Sequence, residues 1–549
     1  MLVDLDLDLI ADLESAKKAI HALLNMIESM NSESVTLRAT VQQLRDEVNR
    51  LKGEQGQPKF PPRKPPQAPD HSSEQERRQP REHKKGSKQQ QIEVQREEIV
   101  RLDRTQLPED ARFKGYEAVV VQDLKIKPEN VRFLKEKWYS AEARETYLAP
   151  LPAGYEGQFG PGIKSLILTL SFGANVSEAK IGEFLHTFGV SISAGQVSNL
   201  LIHDQETFHG EKDAIFVAGL SSTEWENIDD TATRVNGVAQ HCHVLCNPYF
   251  SVYLTLPRKD RLTVLSVLQN GRPLLFRLNG EAYRLIRMPI YSPALLAALR
   301  HLPQEQDLSE EDFAQLLSLQ LPDLAEQKLK EIYEAAAIAS YHAQTVYPVV
   351  RTLVCDDAGQ FKRVTEELSL CWVHEGRHYK KLNPCIALHR QALADFQKSF
   401  WDYYHELLAY TQHPTTAEAE RMSTRFDEIF TQQTGYRYLD ERIAITYSRK
   451  AELLVALSHP DVPLHNNSAE LAARARVRKR DVSFGPRTEQ GRQAWDTFMT
   501  IAGTARKLGV SFYHYIHDRL CGASHMPSLA SLITQRSQAA LPTVTAAVT

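Results

Sequence analysis

The sequence contains few cysteines and none before Cys242. Six cysteines in 549 residues are too few and too scattered for a disulfide framework, which indicates a reducing compartment. No apolar run approaches the roughly 18 residues that a membrane-spanning helix needs. The first ten residues, MLVDLDLDLI, are acidic where a signal peptide is basic. These absences predict a cytoplasmic protein without a membrane partner.

The chain also lacks a strong net charge and a glycine-rich phosphate loop. Its formal net charge is −4 at pH 7, so contacts with nucleic acid must come from local basic patches. The missing phosphate loop gives no indication of ATP. A hydrophobic content of 42% with 24% charged residues is typical of a globular protein. The length predicts roughly three or four structural units.

Residues 1–53 are predicted to form a coiled-coil helix. Between residues 13 and 51 an apolar heptad repeat runs without Pro or Gly. Its two seam positions hold Leu13, Ile20, Ile27, Ser34, Val41 and Val48, and Ala16, Leu23, Met30, Leu37, Leu44 and Leu51. The pattern favours a parallel two-stranded coiled coil, and thus a homodimer through residues 13–51. A helix packed against its own chain would show the same repeat, so both interpretations stay open.

The next two segments differ sharply in composition. Residues 54–94 are rich in Pro and in charged side chains and cannot bury a core, which predicts a disordered linker. Residues 95–157 contain β-branched runs such as YEAVVVQDLKI, which predict a small strand-rich unit.

Residues 158–210 are predicted to contain a helix-turn-helix that binds DNA. Ser177 and Ser193 are natural N-caps, and Gly189 closes the first of two short helices. An ordinary helical pair would share this pattern. If the segment reads DNA, the second helix would face the bases with Gln196, Ser198 and Asn199.

Residues 220–500 are predicted to form an RNase H-like α/β domain. Three strand patterns with breaks at Asn236-Gly237 and Asn247-Pro248 predict an antiparallel meander. Two more strands are predicted at 352–357 and 368–373, with helical insertions at about 293–345 and 386–460. In an RNase H-like sheet, an Asp on the first strand lies next to an Asp at the end of the fourth. Residues 501–549 are predicted to form a C-terminal helix and a tail that is loose after about residue 525.

Three acidic residues fit this strand order. Asp229 and Asp356 occupy the two strand positions, and Glu470 lies in the first turn of a later helix. Three such carboxylates can bind two Mg²⁺ ions, or Mn²⁺, for in-line attack on a phosphodiester. Each residue alone also has a structural explanation, such as a strand end, a turn or an ion pair with Arg474. The combination predicts a metal site.

Further residues are predicted to surround this triad. The site-lining set consists of Asp230, Asp357, His374, Arg377, Asn466 and Asn467. Cys371 and His374 are interpreted as a packed cysteine and a site-lining histidine rather than as a metal pair. A basic run that would follow DNA phosphates, or else face solvent, consists of Arg474, Arg476, Arg478, Lys479, Arg480 and Arg487.

These motifs resemble those of the DDE transposases of the insertion sequence 66 family. The matching segments are NIDDT (227–231), CDDAGQF (355–361), CWVHEGR (371–377), HNNSAELAARARVRKRDVSF (465–484) and KLGVSFYHYI (507–516). The resemblance covers roughly residues 160–520 and places the family's catalytic acids on Asp229, Asp356 and Glu470. It implies cleavage at terminal inverted repeats and joining to target DNA, with accessory proteins of the same element as further partners at the bacterial nucleoid.

The chain departs from this family in two places. Ser140 and Ala143 stand where the family's zinc-binding Cys-x-x-Cys would be, so no zinc is expected. Leu471 follows Glu470 where the family usually has Arg. The missing cysteines motivate one alternative, a catalytically inactive or repurposed DNA-binding protein. A second alternative is an RNase H-like nuclease that cuts without joining.

Overall fold

A long first helix opens the described part of the chain. The computed structural model describes residues 12–52, 92–103, 107–108, 111–287 and 293–540. Helix α1 (Leu13–Leu51) spans the whole heptad repeat, and Asp12 caps it by accepting the Ser15 N–H at 2.7 Å. Its seam side chains are exposed, Ile20 to 55% and Leu37 to 64%. Most of the predicted linker 54–94 lies outside the described residues.

The predicted strand-rich unit contains a single hairpin within its described residues. Strands β1 (Lys137–Ser140) and β2 (Glu145–Leu148) pair antiparallel, and residues 111–136 hold neither helix nor strand. The expectation of a strand-rich unit over 95–157 is therefore corrected to one hairpin. The physical reason is burial: Val119 and Val121 are 72% and 79% exposed, so the β-branched run has no core to pack against.

Four helices and one π-helical turn follow. Helix α2 (Pro161–Leu168) continues into a π-helical turn (Thr169–Gly173). The next three helices are α3 (Glu178–Thr187), α4 (Ala194–Ile202) and α5 (Glu206–Leu220). The two predicted short helices are thus present as α3 and α4. Ser193 forms the capping box of α4, whereas Ser177 precedes α3 without a side-chain hydrogen bond.

A five-stranded mixed sheet forms the centre of the molecule. Its strands are β3 (Trp225–Val235), β4 (Val238–Cys246), β5 (Ser251–Leu256), β6 (Thr352–Cys355) and β7 (Glu367–Leu370), in the order β5-β4-β3-β6-β7. The first three strands are antiparallel neighbours, which confirms the predicted meander, and β6 and β7 add in parallel. Asn236 and Gly237 have φ angles of 49° and 77°, as a tight hairpin turn requires. The fold is therefore mixed α/β.

Helices occupy most of the remaining chain. Between β5 and β6 lie α6 (Arg261–Leu268), α7 (Gly280–Arg287), α8 (Pro293–Arg300), α9 (Glu310–Gln320) and α10 (Glu326–Ala343). After β7 come α11 (Trp372–Lys380), α12 (Ala387–Gln412), α13 (Thr416–Phe430), α14 (Arg437–Ser448), α15 (Lys450–Leu453) and α16 (Val455–Ser458). The Trp372 ring packs against Phe400 and Phe426, so α11 is anchored in an aromatic core formed with α12 and α13.

The last four helices close the structure. They are α17 (Asn467–Ser483), α18 (Glu489–Lys507), α19 (Phe512–Leu520) and α20 (Leu529–Ala540). Helix α18 covers the edge strand β5: Thr504, Thr500 and Asp496 accept the backbone N–H groups of successive outward-facing residues at 3.2, 3.0 and 2.8 Å. These side chains recur at i, i+4 and i+8, so they face the same edge. The sheet edge is thereby blocked.

The C-terminal tail is more ordered than its composition predicts. Helix α20 falls in the segment expected to be loose, and its Leu529 and Ile533 are fully buried. These two residues are spaced i, i+4 and form one apolar face, which packs on α5. The expectation of a loose tail is corrected for residues 529–540. In the described residues, no helix combines the length and the apolar character that crossing a membrane requires.

Candidate metal-binding carboxylate site

Asp229 and Asp356 lie side by side on adjacent strands. In the parallel ladder of β3 and β6, Trp225 pairs with Thr352 and Asn227 with Val354, a constant offset of 127 residues. The two aspartates are separated by the same number, 356 − 229 = 127, so this register sets Asp356 opposite Asp229, two residues beyond the last paired residues. Opposed residues of a parallel pair point to the same face of a sheet. The strand register therefore brings the two carboxyl groups together.

Helix α17 brings Glu470 to the same place. The side chain of Asn466 ties the start of this helix to β3, because its Nδ2 donates to the Ile228 carbonyl at 2.6 Å and its Oδ1 accepts from Asn227 Nδ2 at 2.9 Å. Ile228 directly precedes Asp229. Glu470 lies one helical turn after Asn466 and so faces the two strand ends. Asn466 was predicted to line the site, and its buried side chain holds α17 there.

The electrostatics of the site favour a bound cation. Burial raises the pKa of Asp229 to about 7, and the negative charges of Glu470, Asp230 and Asp356 act in the same direction. A hydrogen bond from the Asp230 N–H to Asp229 Oδ1, at 2.9 Å, opposes this increase. Glu470 Oε1 is buried and accepts no hydrogen bond. Clustered carboxylates with an unsatisfied oxygen fit the hard ligand set that Mg²⁺ prefers.

His374 and Arg377 project from α11 towards Glu470. His374 Nε2 lies 3.5 Å from Glu470 Oε1, and Arg377 Nη2 lies 3.5 Å from Oε2. Arg377 Nη1 also donates to His374 Nε2 at 2.7 Å. Burial lowers the pKa of His374, although the Glu470 charge opposes it, so the imidazole is neutral at pH 7. Both residues are brought to the site that the sequence predicted for them.

Cys371 completes a second set of donor atoms around Glu470. Within the described chain, Cys371, His374 and Glu470 form a group whose ligand atoms lie within 4.8 Å of one another. Cys371 is buried, as the sequence interpretation expected, and its Sγ accepts the Asn466 N–H at 3.3 Å. The thiol and His374 Nε2 are engaged by hydrogen bonds, whereas His374 Nδ1 and Glu470 Oε1 are buried without one.

Asp230 and Asp357 do not join the triad. Side chains alternate along a strand, so Asp230 points away from Asp229, towards Gln360 Nε2 at 3.4 Å and Lys259 Nζ at 3.9 Å. Asp357 forms ion pairs with Arg449 and, at 3.1 Å, with Lys362. The prediction that these two aspartates line the site is corrected: they flank it and are neutralised by neighbouring cations.

Arg449 is the residue around the site that sequence reasoning missed. It follows α14, bridges Asp357 and the buried Glu375 of α11, and lies 92 residues from Asp357 along the chain. The Glu375 Oε2 atom accepts from Arg449 Nη1 at 3.2 Å, and Arg442 also pairs with Glu375. No local sequence motif predicts this bridge. It depends on how helices α12–α16 pack against the sheet.

The basic run on α17 divides between two faces. Arg474, Arg478 and Arg487 are exposed, and the half-buried Arg480 donates to the Ala232 carbonyl. The prediction that Lys479 contacts DNA is corrected, because it is 2% exposed and its Nζ donates to both the carbonyl and Oγ of Ser171 at 2.8 Å.

Helix periodicity explains why some of these cations are internal. Arg476 and Lys479 are three residues apart and share the core-facing side of α17. Arg476 is fully buried, donates to Thr255 Oγ1 at 3.1 Å and lies 3.7 Å from Asp496. Burial lowers the pKa of Lys479 to about 8. Neither residue is available to DNA phosphates.

The predicted base-reading residues on α4 differ in availability. Asn199 is exposed and Ser198 is half-buried. Gln196 accepts the Ser193 N–H in the capping box at 3.1 Å and donates to Gln158 Oε1 at 2.7 Å. Its amide is therefore already used within the protein.

The raised pKa of Asp229 predicts a change in stability with pH. Its folded pKa of about 7 exceeds the ordinary 3.8, so the contribution of this group is full below about pH 4 and is lost as the pH rises towards 7. Asp229→Asn should therefore raise the melting temperature of the metal-free protein at pH 8, by about 1–2 °C for each 1 kcal/mol gained in a chain of this size. The gain should shrink as the pH falls from about 7 to 4. Thermal denaturation in EDTA measures both effects.

Asp323→Asn is the matched control for this measurement, because Asp323 is exposed. Its melting temperature should follow that of the wild type at every pH. A lower melting temperature of Asp229→Asn at pH 8 would contradict the site's electrostatics. It would mean that the Asp229 charge stabilises the fold.

Two comparisons with known proteins bear on this site. The family described as "Transposase IS66 family" matches residues 334–494, which include Asp356 and Glu470. The chain is also similar to the "Uncharacterized protein y4jO" of Sinorhizobium fredii (strain NBRC 101917 / NGR234), with 31% identity over 324 residues. That alignment covers 58% of this chain and 99% of the relative. From the family match over residues 334–494, we conclude that the chain belongs to the IS66 family of transposases.

Proposed function

We propose that this chain cleaves the ends of a transposon and joins them to target DNA, with Asp229, Asp356 and Glu470 as its catalytic residues. The observation that carries the proposal is the strand register of 127 residues, which sets the two aspartates side by side. Asn466 adds the third carboxylate by fixing α17 to β3. Three carboxylates that repel one another in a half-buried site destabilise the fold. Such clustering is typical of a functional site and favours an active enzyme over an inactive DNA-binding protein.

The reaction is two successive in-line displacements at phosphorus. Water first attacks the phosphodiester at the transposon end and frees a 3′-hydroxyl. That hydroxyl then attacks a target phosphodiester, forms the new bond and displaces a target 3′-hydroxyl. Two Mg²⁺ ions, for which Mn²⁺ can substitute, would activate the attacking oxygen and stabilise the leaving oxygen when held by the three carboxylates. Arg377 and the neutral His374 lie where they would orient Glu470 and approach a phosphate.

We also propose that residues 220–500 form an RNase H-like catalytic domain. Support comes from the sheet order, in which an antiparallel β5-β4-β3 meander is extended by parallel β6 and β7. The helices α7–α10 are inserted between β5 and β6, and α12–α16 are inserted between α11 and α17. Asp229 lies on the central strand β3, and Asp356 directly follows its neighbour β6, so both are placed by rigid elements of the sheet.

DNA-end recognition and pairing are assigned to the segments before this domain. Helices α3 and α4, joined through Gly189 with a φ of +80°, have the order of a helix-turn-helix within residues 158–210. Asn199 is the best placed of the predicted base contacts because it is exposed. The exposed seam of α1 supports a parallel coiled-coil homodimer, which would hold two transposon ends together.

Arg474 and Arg478 are expected to contribute phosphate contacts. Replacing both with Ala should weaken DNA binding at low salt and reduce the slope of log affinity against log salt concentration by about 1.8, or roughly 0.9 for each contact. Affinity measured between 50 and 200 mM salt on a duplex from the DNA that flanks the gene gives both values. Arg300 and Arg351, two exposed arginines away from α17, form the matched control pair. An unchanged slope for Arg474 and Arg478 would assign them to solvent.

The function is tested by incubating the full chain with Mg²⁺, a duplex from the flanking inverted repeats and a target plasmid. Joined product that requires the divalent cation supports the proposal. Cleaved ends without joined product would instead identify a nuclease. Binding without either product would identify a repurposed DNA-binding protein.

A further inference from the structure

Glu28 is the buried residue of α1, although the apolar seam of that helix is exposed. It is 3% exposed, whereas its neighbours Ile27 and Met30 are 51% and 64% exposed. A helix on a protein surface ordinarily buries its apolar stripe and exposes its carboxylates. The inversion indicates that α1 docks on its own chain through a polar face.

Glu28 supplies the missing N-cap of α12. This helix begins after Ile386, an apolar residue whose side chain makes no capping hydrogen bond. The Cys385 N–H donates to Glu28 Oε2 at 3.0 Å, and the Ile386 N–H donates to Oε1 at 2.9 Å. Burial opposes ionisation of Glu28, but these hydrogen bonds outweigh it and lower the pKa of the carboxyl. A carboxylate at this position also complements the helix dipole.

Asn25 caps α14 in the same manner. Tyr436 precedes α14 and provides no side-chain cap. The Arg437 N–H donates to Asn25 Oδ1 at 2.9 Å, and Asn25 Nδ2 donates to the Gly435 carbonyl at 3.0 Å. The two elements approach so closely that a Cβ at Gly435 would lie 2.6 Å from the His21 ring. One helix thus caps two others that have no cap of their own.

The capping face of α1 lies opposite its seam. His21, Asn25 and Glu28 are spaced i, i+4 and i+7 and therefore share one face. With the seam at heptad positions a and d, His21 and Glu28 occupy position b and Asn25 occupies position f. These positions lie on the far side of a coiled coil from the partner helix. Docking therefore leaves the seam free, and both surfaces can be occupied together.

Helix α14 connects the capping face to the carboxylate site. Its start is held by Asn25, and the residue that follows its end is Arg449. Arg449 pairs with Asp357, the neighbour of Asp356, and with the buried Glu375 of α11. Glu375 is buried, so breaking its ion pair with Arg449 would leave an uncompensated buried charge, which resists separation of α14 from α11. A shift of α14 would displace the loop that carries Asp356.

We propose that α1 couples its capping contacts on α12 and α14 to the geometry of the catalytic site, while its seam pairs two chains. A second copy of α1 occupies the seam, while the face formed by His21, Asn25 and Glu28 holds α12 and α14 in position. The catalytic part of this inference rests on the proposed function, whereas the capping part does not.

Hydrogen exchange on the full chain tests the capping contacts. In Glu28→Ala, exchange at Cys385 and Ile386 should rise roughly tenfold or more, because both N–H groups lose their acceptor. In Asn25→Ala, the same rise is expected at Arg437. Glu14→Ala is the control, because Glu14 occupies position b two heptads earlier and its side chain is 78% exposed. Unchanged exchange in both capping variants overturns the docking.

A second measurement tests the coupling. Leu37→Glu places a charge in the seam and should yield monomers in light scattering, while exchange at the capped helix starts stays as in the wild type. Glu28→Ala should remain dimeric. Its strand-transfer rate should fall at least roughly tenfold, because a small displacement of the carboxylate site slows the reaction. Glu28→Gln, which preserves the shape of the side chain, serves if Glu28→Ala does not fold.

Unchanged strand transfer in a Glu28 variant overturns the coupling, and so does loss of its dimer. If the wild-type chain joins no DNA at all, the proposed function fails instead. The exchange and light-scattering results then still decide whether α1 caps α12 and α14 while its seam pairs.

Discussion

Asp356→Ala is expected to abolish Mg²⁺-dependent strand transfer while binding of transposon-end DNA stays intact. Asp356 is the first residue beyond β6, and its Oδ1 accepts the Ala358 N–H at 3.1 Å, which orders the carboxylate at the strand end. Truncation removes one of the three proposed acidic ligands without touching the predicted DNA-reading helices. We expect the joining rate to fall at least ~10³-fold, as for other residues that act as one catalytic unit.

The Asp356 experiment has an activity readout and a binding readout. Mg²⁺ should raise the melting temperature of the wild type and do so much less for Asp356→Ala, because binding to the folded state alone stabilises it. The exposed Asp323, changed to Ala, is the control for both measurements. Joined product from Asp356→Ala at the wild-type rate would remove Asp356 from the catalytic set.

Asn466→Ala should reduce both stability and strand transfer. Its side chain touches no reacting group in the proposed site, so it acts as a positioning residue for Glu470. The substitution leaves Asn227 Nδ2 and the Ile228 carbonyl buried without their partner. We expect a loss of about 2–4 kcal/mol in the free energy of unfolding, from two unsatisfied groups. The joining rate should fall roughly 10²-fold because Glu470 is displaced.

A double-mutant cycle separates positioning from general damage. Asn227→Ala removes one of the two hydrogen bonds, so it should have a smaller effect, and the two substitutions should not be additive. The Asn466 effect should appear in the joining rate at saturating DNA rather than in DNA affinity. A variant that is destabilised but joins ends at the wild-type rate would show that Asn466 stabilises the fold without positioning Glu470.

Local patterns predicted much of the fold. The heptad repeat predicted α1 to its terminal residues, and the Asn236-Gly237 turn predicted the β3–β4 hairpin. The run TLVCDD predicted a strand over 352–357, and β6 is present there but ends at Cys355, so Asp356 directly follows it. The metal triad stays a prediction, supported by the offset of 127 residues that the ladder and the two aspartates share.

Other predictions were wrong because they depended on contacts with distant parts of the chain. The β-branched run near Val119 lacks a surface to pack against, whereas Leu529 and Ile533 find one on α5. Lys479 is internal because the Ser171 oxygens are within reach of its ammonium group. None of these outcomes follows from composition, because burial depends on residues hundreds of positions away.

The sequence by itself determined the bounds of α1 and the position of the β3–β4 turn, because caps, turns and periodicity act over a few residues. Only the tertiary structure decided which face of each helix packs against the rest of the chain and which distant residues meet there. Packing carries Arg449 to Asp357 and Glu28 to the start of α12, across separations of 92 and more than 350 residues. Such contacts depend on the shape of the whole fold, so no local pattern can specify them.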